Sequence, residues 1–191
     1  MEIVFATHNP NKLKEVQDIL PKSIKLLSLD DINCKKEIKE NADTVEGNAL
    51  IKANYVFKNY KYPCFADDTG LFVEALNGEP GVYSARYAGA GKDSKANNDK
   101  LLRNLKSIEN RDAFFKTVIV YRTETTTKEF TGICPGKILK SPQGKDGFGY
   151  DPIFKPKGYE QSFAEMSAMT KNKISHRAKA LEKFVEYILE N

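Results

Sequence analysis

The 191-residue chain has 40% hydrophobic and 29% charged residues, the balance of a folded globular protein and not of a disordered one. Its net charge of +4 is too small to mark a nucleic-acid binder, but it suits a pocket for a polyanionic small molecule. Three widely spaced cysteines with no C-x-x-C, and only two histidines, point away from disulfide frameworks and from zinc, leaving magnesium-like cations bound by oxygen.

The length fits a single domain over residues 1–191. Residues 2–6, EIVFA, predict a strand that breaks at the polar loop THNPN. Leu13, Val16, Ile19 and Leu20 then recur at helical spacing until Pro21. IKLLSL, residues 24–29, reads as a second strand. A long helix is expected from Asp43, with Glu46 as reciprocal cap and Leu50, Ala53, Val56, Phe57 and Tyr60 as its buried stripe. YPCFA predicts a strand that runs out at Asp67 and Asp68, and LFVEAL follows before the turn NGEPG.

Residues 93–106 predict a helix facing the core through Leu101, Leu102 and Leu105. AFFKTVIVYR and KEFTGICPGKIL read as two long antiparallel strands around TETTT, and SPQGKDGFGYDP as loop. The last helix starts at Ser175 and buries Ala178, Leu181, Phe184, Val185 and Ile188. Strand–helix units followed by a hairpin give an α/β fold with a mixed sheet. The start of the chain has an early Glu2 and no signal-peptide pattern, and no stretch approaches membrane-span length, so a cytoplasmic protein is expected.

Four stretches carry chemistry. Asp67 and Asp68 form either a strand-ending turn or a divalent-cation site, because adjacent carboxylates repel unless a cation or strong donors compensate. Thr7–Lys12, THNPNK, is a polar loop before a helix, where backbone donors attract phosphate and Lys12 opposes the helix dipole; taken alone, it reads first as a solvated Lys after an ordinary turn. GFGYDP sets Phe148 and Tyr150 among glycines, which suits base stacking or packing onto the core. Lys171, Lys173, His176 and Arg177 crowd the start of the last helix, again against the dipole, so a shared anionic ligand or a basic surface would explain them. A nucleoside triphosphate with magnesium satisfies all of these together.

The blocks FATHNPNK, FADDTGLFVEALNGEPGVYSARYAG, GFGYDPIF and FAEMSAMTKNKISHRAKAL, in that order, resemble the inosine triphosphate pyrophosphatase family over nearly the whole chain. The resemblance implies magnesium-dependent hydrolysis of dITP, ITP and XTP to the monophosphate and pyrophosphate. It also implies a homodimer of elongated α/β subunits, each with a central mixed sheet and a cleft between two lobes. Neither nucleic acid nor membrane is implied as a partner. By motif, Thr7, His8, Asn9, Pro10, Asn11 and Lys12 would bind substrate, with Asp68 as proton acceptor and metal ligand. Thr69, which stands where many relatives have Ser, would touch the nucleotide. Phe148, Gly149, Tyr150, Asp151, Lys171, His176 and Arg177 would complete the pocket. The segment before the long helix, a Glu pair in many relatives, is KENAD here and leaves Glu40 in register as second metal ligand. A pyrophosphatase for other modified nucleotides and a non-catalytic nucleotide-binding module are the alternatives.

Overall fold

A computed structural model describes residues 1–190. The chain forms two compact units. The first comprises residues 1–68, 117–132 and 177–191; the second comprises 69–116 and 133–176. The chain passes between them four times, so neither unit is a contiguous segment.

The elements in the first unit begin with β1 (Glu2–Phe5), α1 (Pro10–Ile19), β2 (Lys25–Leu27) and α2 (Val45–Tyr60). β1 pairs parallel with β2, and also with the start of β3 (Cys64–Val73) through Val4 with Cys64 and Phe5 with Phe65. Helix α1 starts at Pro10, inside the stretch expected as loop, because Asn9 caps it by accepting from the Asn11 and Lys12 amides at 2.9 and 3.3 Å, and Pro10 supplies the favoured first-turn φ. Helix α2 starts one residue later than the sequence reading: Thr44 is the cap and accepts from Gly47 N–H, so the Asp43–Glu46 pair is not the capping device. Its core face carries Val45, Asn48, Ala49, Lys52, Ala53 and Val56, whereas Leu50, Phe57 and Tyr60 are only half-buried.

In the second unit, β3 continues past the acidic pair to Val73 and pairs antiparallel with β4 (Pro80–Gly81). The expected end of the strand at Asp67–Asp68 is therefore corrected: the carboxylates sit mid-strand. Helix α3 (Ser94–Asn104) is capped by Asp93 and buries Leu101 fully. Strands β5 (Asp112–Arg122) and β6 (Thr127–Ile138) are the expected long pair, and a four-residue connection between sheet neighbours permits only an antiparallel arrangement. β7 (Phe154–Pro156) pairs antiparallel with β6. The order β2-β1-β3-β5-β6-β7, with β4 off β3, makes a mixed seven-stranded sheet. Helix α4 (Ala168–Ile174), capped by Ser167, is an element the sequence pattern does not announce, its seven residues being too few to show periodicity; α5 (His176–Glu190) follows directly.

Each unit has its own core. In the first, Phe5 stacks on Phe65 at 4.6 Å and Phe65 meets Phe184 of α5 at 4.8 Å, beside Ile3, Val16, Ile119 and Leu181. In the second, Phe115, Phe154 and Phe163 pack with Leu71, Leu101, Leu105 and Ile153. Burying one such side chain contributes roughly 1.5–3 kcal/mol. Among the described residues no helix is long and apolar enough to cross a membrane.

Candidate active site

A strand sends successive side chains to opposite faces, so Asp67 and Asp68 are neighbours in sequence with separate surroundings. Asp67 is 1% exposed and takes a cation on each oxygen: Lys12 Nζ donates to Oδ1 at 2.8 Å and Arg177 Nε to Oδ2 at 3.1 Å. Arg177, 2% exposed at the start of α5, also donates through Nη1 to Glu15 of α1. Burial alone would raise the Asp67 carboxyl, but Lys12, Arg177 and Lys52 outweigh it and hold it well below the ordinary carboxylate range. The two cations that oppose their helix dipoles are thus neutralised by the protein's own carboxylates. Their placement against the dipoles is accounted for without a bound anion.

Asp68 has a different environment. Asn48 Nδ2 donates to its Oδ2 at 3.2 Å, and Lys52 Nζ lies 3.7 Å from its Oδ1. Lys52 also donates to Glu40, so both acids read as metal ligands converge on one ammonium. Burial pushes the Asp68 carboxyl up, Lys52 and Lys12 pull it back, and the like charges of Glu40 and Asp67 help leave it raised. For Lys52, burial works against the charge, but Asp68 and Glu40 outweigh it and the ammonium is strengthened. Two adjacent carboxylates pushed in opposite directions are the pattern of a counter-ion beside a group able to exchange a proton. The acceptors around Lys52 are hard carboxylate oxygens, the kind a small divalent cation takes. Among the described residues no third His, Cys, Asp or Glu completes an all-protein cage.

The Thr7–Lys12 loop is built on its own hydrogen bonds. Thr7 Oγ1 accepts from Asn9 N–H at 3.1 Å, and the Asn9 side chain occupies the first donors of α1. His8 is exposed and its Nε2 lies 3.1 Å from the Lys36 carbonyl. Pro10 and Asn11 are exposed.

In the second unit, Asp151 is buried and binds Lys171 Nζ at 2.7 Å and Phe148 N–H at 2.7 Å. The Lys171 ammonium lies 4.9 Å from the Phe148 ring centre. Phe148 is half-buried, but Tyr150 is a core residue whose hydroxyl donates to the Ser84 carbonyl at 2.8 Å. Of the two aromatics for which the sequence leaves base stacking and core packing both open, Tyr150 is accounted for by packing. Gly147 has φ +75°, and a Cβ there would meet Asp151 Oδ2 at 2.1 Å, so this glycine serves the turn and not a ligand's approach. The Gly149 carbonyl accepts from Asn98 Nδ2 at 3.1 Å. His176 is buried and stacked on Phe115 at 4.5 Å, and Thr69 is half-buried on β3.

Comparison with known proteins adds to this geometry. The Ham1 family pattern matches residues 3–187. The chain belongs to the Ham1 family. It is similar to a dITP/XTP pyrophosphatase of Christiangramia forsetii, with 56% identity over 98% of this chain and 99% of the relative. Its fold is similar to that of a HAM1 protein from Coxiella burnetii, with a TM-score of 0.92, 36% identity and full coverage of both chains. A nucleoside-triphosphatase / dITP/XTP pyrophosphatase from Mycobacterium abscessus matches at 40% identity and a TM-score of 0.79 over 97% of this chain and 99% of that one.

In this Ham1 chain, the structure gathers Lys12, Glu40, Asp68 and Arg177 with three residues the sequence reading missed: Glu15, Asn48 and Lys52. A signal existed for two of them. Asn48 and Lys52 are four apart on the same helical face as Val45, Ala49 and Val56, and polar groups inside an apolar stripe need partners.

Proposed function

We propose that the chain hydrolyses non-standard purine nucleoside triphosphates, dITP, ITP and XTP, to the monophosphate and pyrophosphate. The observation that carries the reading is the division of labour between Asp67 and Asp68 in a Ham1 chain. Asp67 is consumed by Lys12 and Arg177, while Asp68 keeps a raised carboxyl beside Lys52 and Glu40.

Asp68 acts as proton acceptor: it orients and deprotonates the water that attacks the phosphorus next to the ribose, and a raised carboxyl is a better base near neutral pH. Lys52 supplies positive charge for the phosphate oxygens as the pyrophosphate leaves, and Lys12 is assigned to substrate contact by motif. Glu40 and Asp68 would hold magnesium, their oxygens being of the class that ion prefers, with the remaining ligands left to phosphate and water. When bound there, magnesium neutralises charge on the triphosphate. Thr7 to Asn11 and Thr69 are assigned to substrate contacts by motif. Phe148, Gly149, Tyr150, Asp151, Lys171 and His176 are assigned to the nucleotide pocket by motif, with the Phe148 ring as the face for the base; Asp151 holds the Phe148 N–H and Lys171 lies over its ring. Arg177 contributes by holding Asp67.

The working unit in this proposal is a homodimer of one-domain subunits in the cytoplasm. Three buried thiols suit that reducing compartment. The deciding experiment incubates pure protein with ITP and magnesium and separates early products by ion-exchange chromatography. IMP with an equal amount of pyrophosphate is expected, and turnover of ATP and GTP should be much slower. IDP with free phosphate as the main products would overturn the reading. Light scattering on the same preparation checks the dimer.

A further inference from the structure

The segment that carries Glu40 lies against the start of α2. A Cβ built on Gly47 would come within 2.6 Å of the Ala42 Cβ, so the absent side chain lets the segment lie this close. There the Ala42 N–H donates to Asn48 Oδ1 at 2.9 Å. The other end of the same amide donates from Nδ2 to Asp68 Oδ2 at 3.2 Å. Chemistry fixes which end is which, since a backbone N–H can only donate and the atom facing it must be the oxygen. Asn48 is 1% exposed, so bulk water does not compete for either bond.

We infer that Asn48 is a positioning residue that sets the separation of Glu40 and Asp68. Its oxygen holds the segment two residues from Glu40, and its nitrogen holds the Asp68 carboxylate. The inference rests on the reading of these two carboxylates as metal ligands and of Asp68 as the base. Lys52 also faces both acids, but an ammonium on a four-carbon stem is a movable point charge, whereas a planar amide bonded at both ends is a spacer. Partners one step behind metal ligands change affinity or activity by roughly tenfold to a hundredfold when removed.

Two variants of the full chain separate the two bonds. Asn48→Asp is close to isosteric, keeps an acceptor for the Ala42 N–H and replaces the donor to Asp68 by a like charge that pushes that carboxylate away; Asn48→Ala removes both bonds without adding charge. Three measurements are made: hydrogen exchange at the Ala42 amide, binding of Mn2+ alone by electron paramagnetic resonance, and kcat for ITP at saturating magnesium. The aspartate variant should keep the Ala42 amide protected yet lose kcat by roughly tenfold or more. The alanine variant should lose that protection, bind Mn2+ roughly tenfold to a hundredfold more weakly and lose kcat as well. An aspartate variant with wild-type kcat, or a folded alanine variant with wild-type Mn2+ affinity, overturns the inference. If the alanine variant does not fold, the kcat of the aspartate variant decides. Wild-type protein that makes no pyrophosphate from ITP would end the functional reading alone, because lost Mn2+ affinity and lost amide protection would still uphold the positioning role.

Discussion

Replacing Asp67 by Asn removes one charge where opposite charges are buried together. The carboxylate takes Lys12 at 2.8 Å and Arg177 at 3.1 Å, and both its side chain and that of Arg177 are almost wholly enclosed. The substitution is nearly isosteric, so no cavity opens. Instead Lys12 loses its carboxylate, and an amide NH2 must face one of the two cations. Removing one member of a buried ion pair costs about 3–5 kcal/mol. Arg177 keeps Glu15, and the Lys12 side chain retains 13% exposure, which together place the expected cost near the lower end, about 3 kcal/mol. For a chain of this length each kcal/mol moves the melting point by roughly 2–4 °C, so Tm should fall by about 6–12 °C at neutral pH. The pH dependence gives a sharper test. Burial alone would raise the Asp67 carboxyl, yet Lys12 and Arg177 hold it well below the ordinary range. A depressed folded-state pKa contributes stability that is complete above the unfolded value, about 4, and is lost as pH falls toward the folded one. The gap between wild type and Asp67→Asn should therefore be level between about pH 7 and 5 and shrink by about pH 3. Urea unfolding at those three pH values measures it. A variant as stable as wild type at neutral pH, or a gap that does not shrink in acid, would refute the charge argument.

Asp68→Asn should keep the fold, because Lys52 retains Glu40, and should lower kcat for ITP by roughly two orders of magnitude or more. Near-normal turnover at saturating magnesium would remove Asp68 from the role of base. Cys34, Cys64 and Cys134 are all buried, and burial pushes the Cys64 thiol up to about 12. A thiol reagent at mildly alkaline pH should find almost nothing to react with in the folded chain and all three cysteines in denaturant; rapid reaction of the folded protein would contradict the burial.

Much of the fold was legible because its signals are local. Asn9–Pro10 marks the start of α1, Asp93 marks that of α3, and alternation marks β5 and β6. The failures have physical causes. Asp67–Asp68–Thr69–Gly70 has turn composition, but Lys12, Arg177, Asn48 and Lys52 come from distant parts of the chain and let β3 run straight through it. Asp43 and Thr44 are both good caps, and nothing local ranks them; contact of Ala42 with the start of α2 does. Tyr150 and Phe148 look equivalent in sequence, and only the Ser84 carbonyl, far away in the chain, makes the first a core residue. The acids were visible as chemistry. Their counter-ions were not, because Glu15 and Lys52 look like ordinary solvated helix charges until the partners are known.

Arg177 reaches back 110 residues to Asp67 and 162 to Glu15. At ordinary synthesis rates of 5–20 residues per second, the aspartate waits roughly 5–20 s on the ribosome before its second cation exists. During that interval Lys12 faces Asp67 without Arg177, and Phe65 lacks the ring of Phe184. Nascent chains therefore carry Glu15, Glu40, Asp67 and Asp68 before the guanidinium that completes the charge balance of Asp67 has been made. A premature stop or a protease that removes α5 takes out the keystone of the first unit and does not merely trim an end.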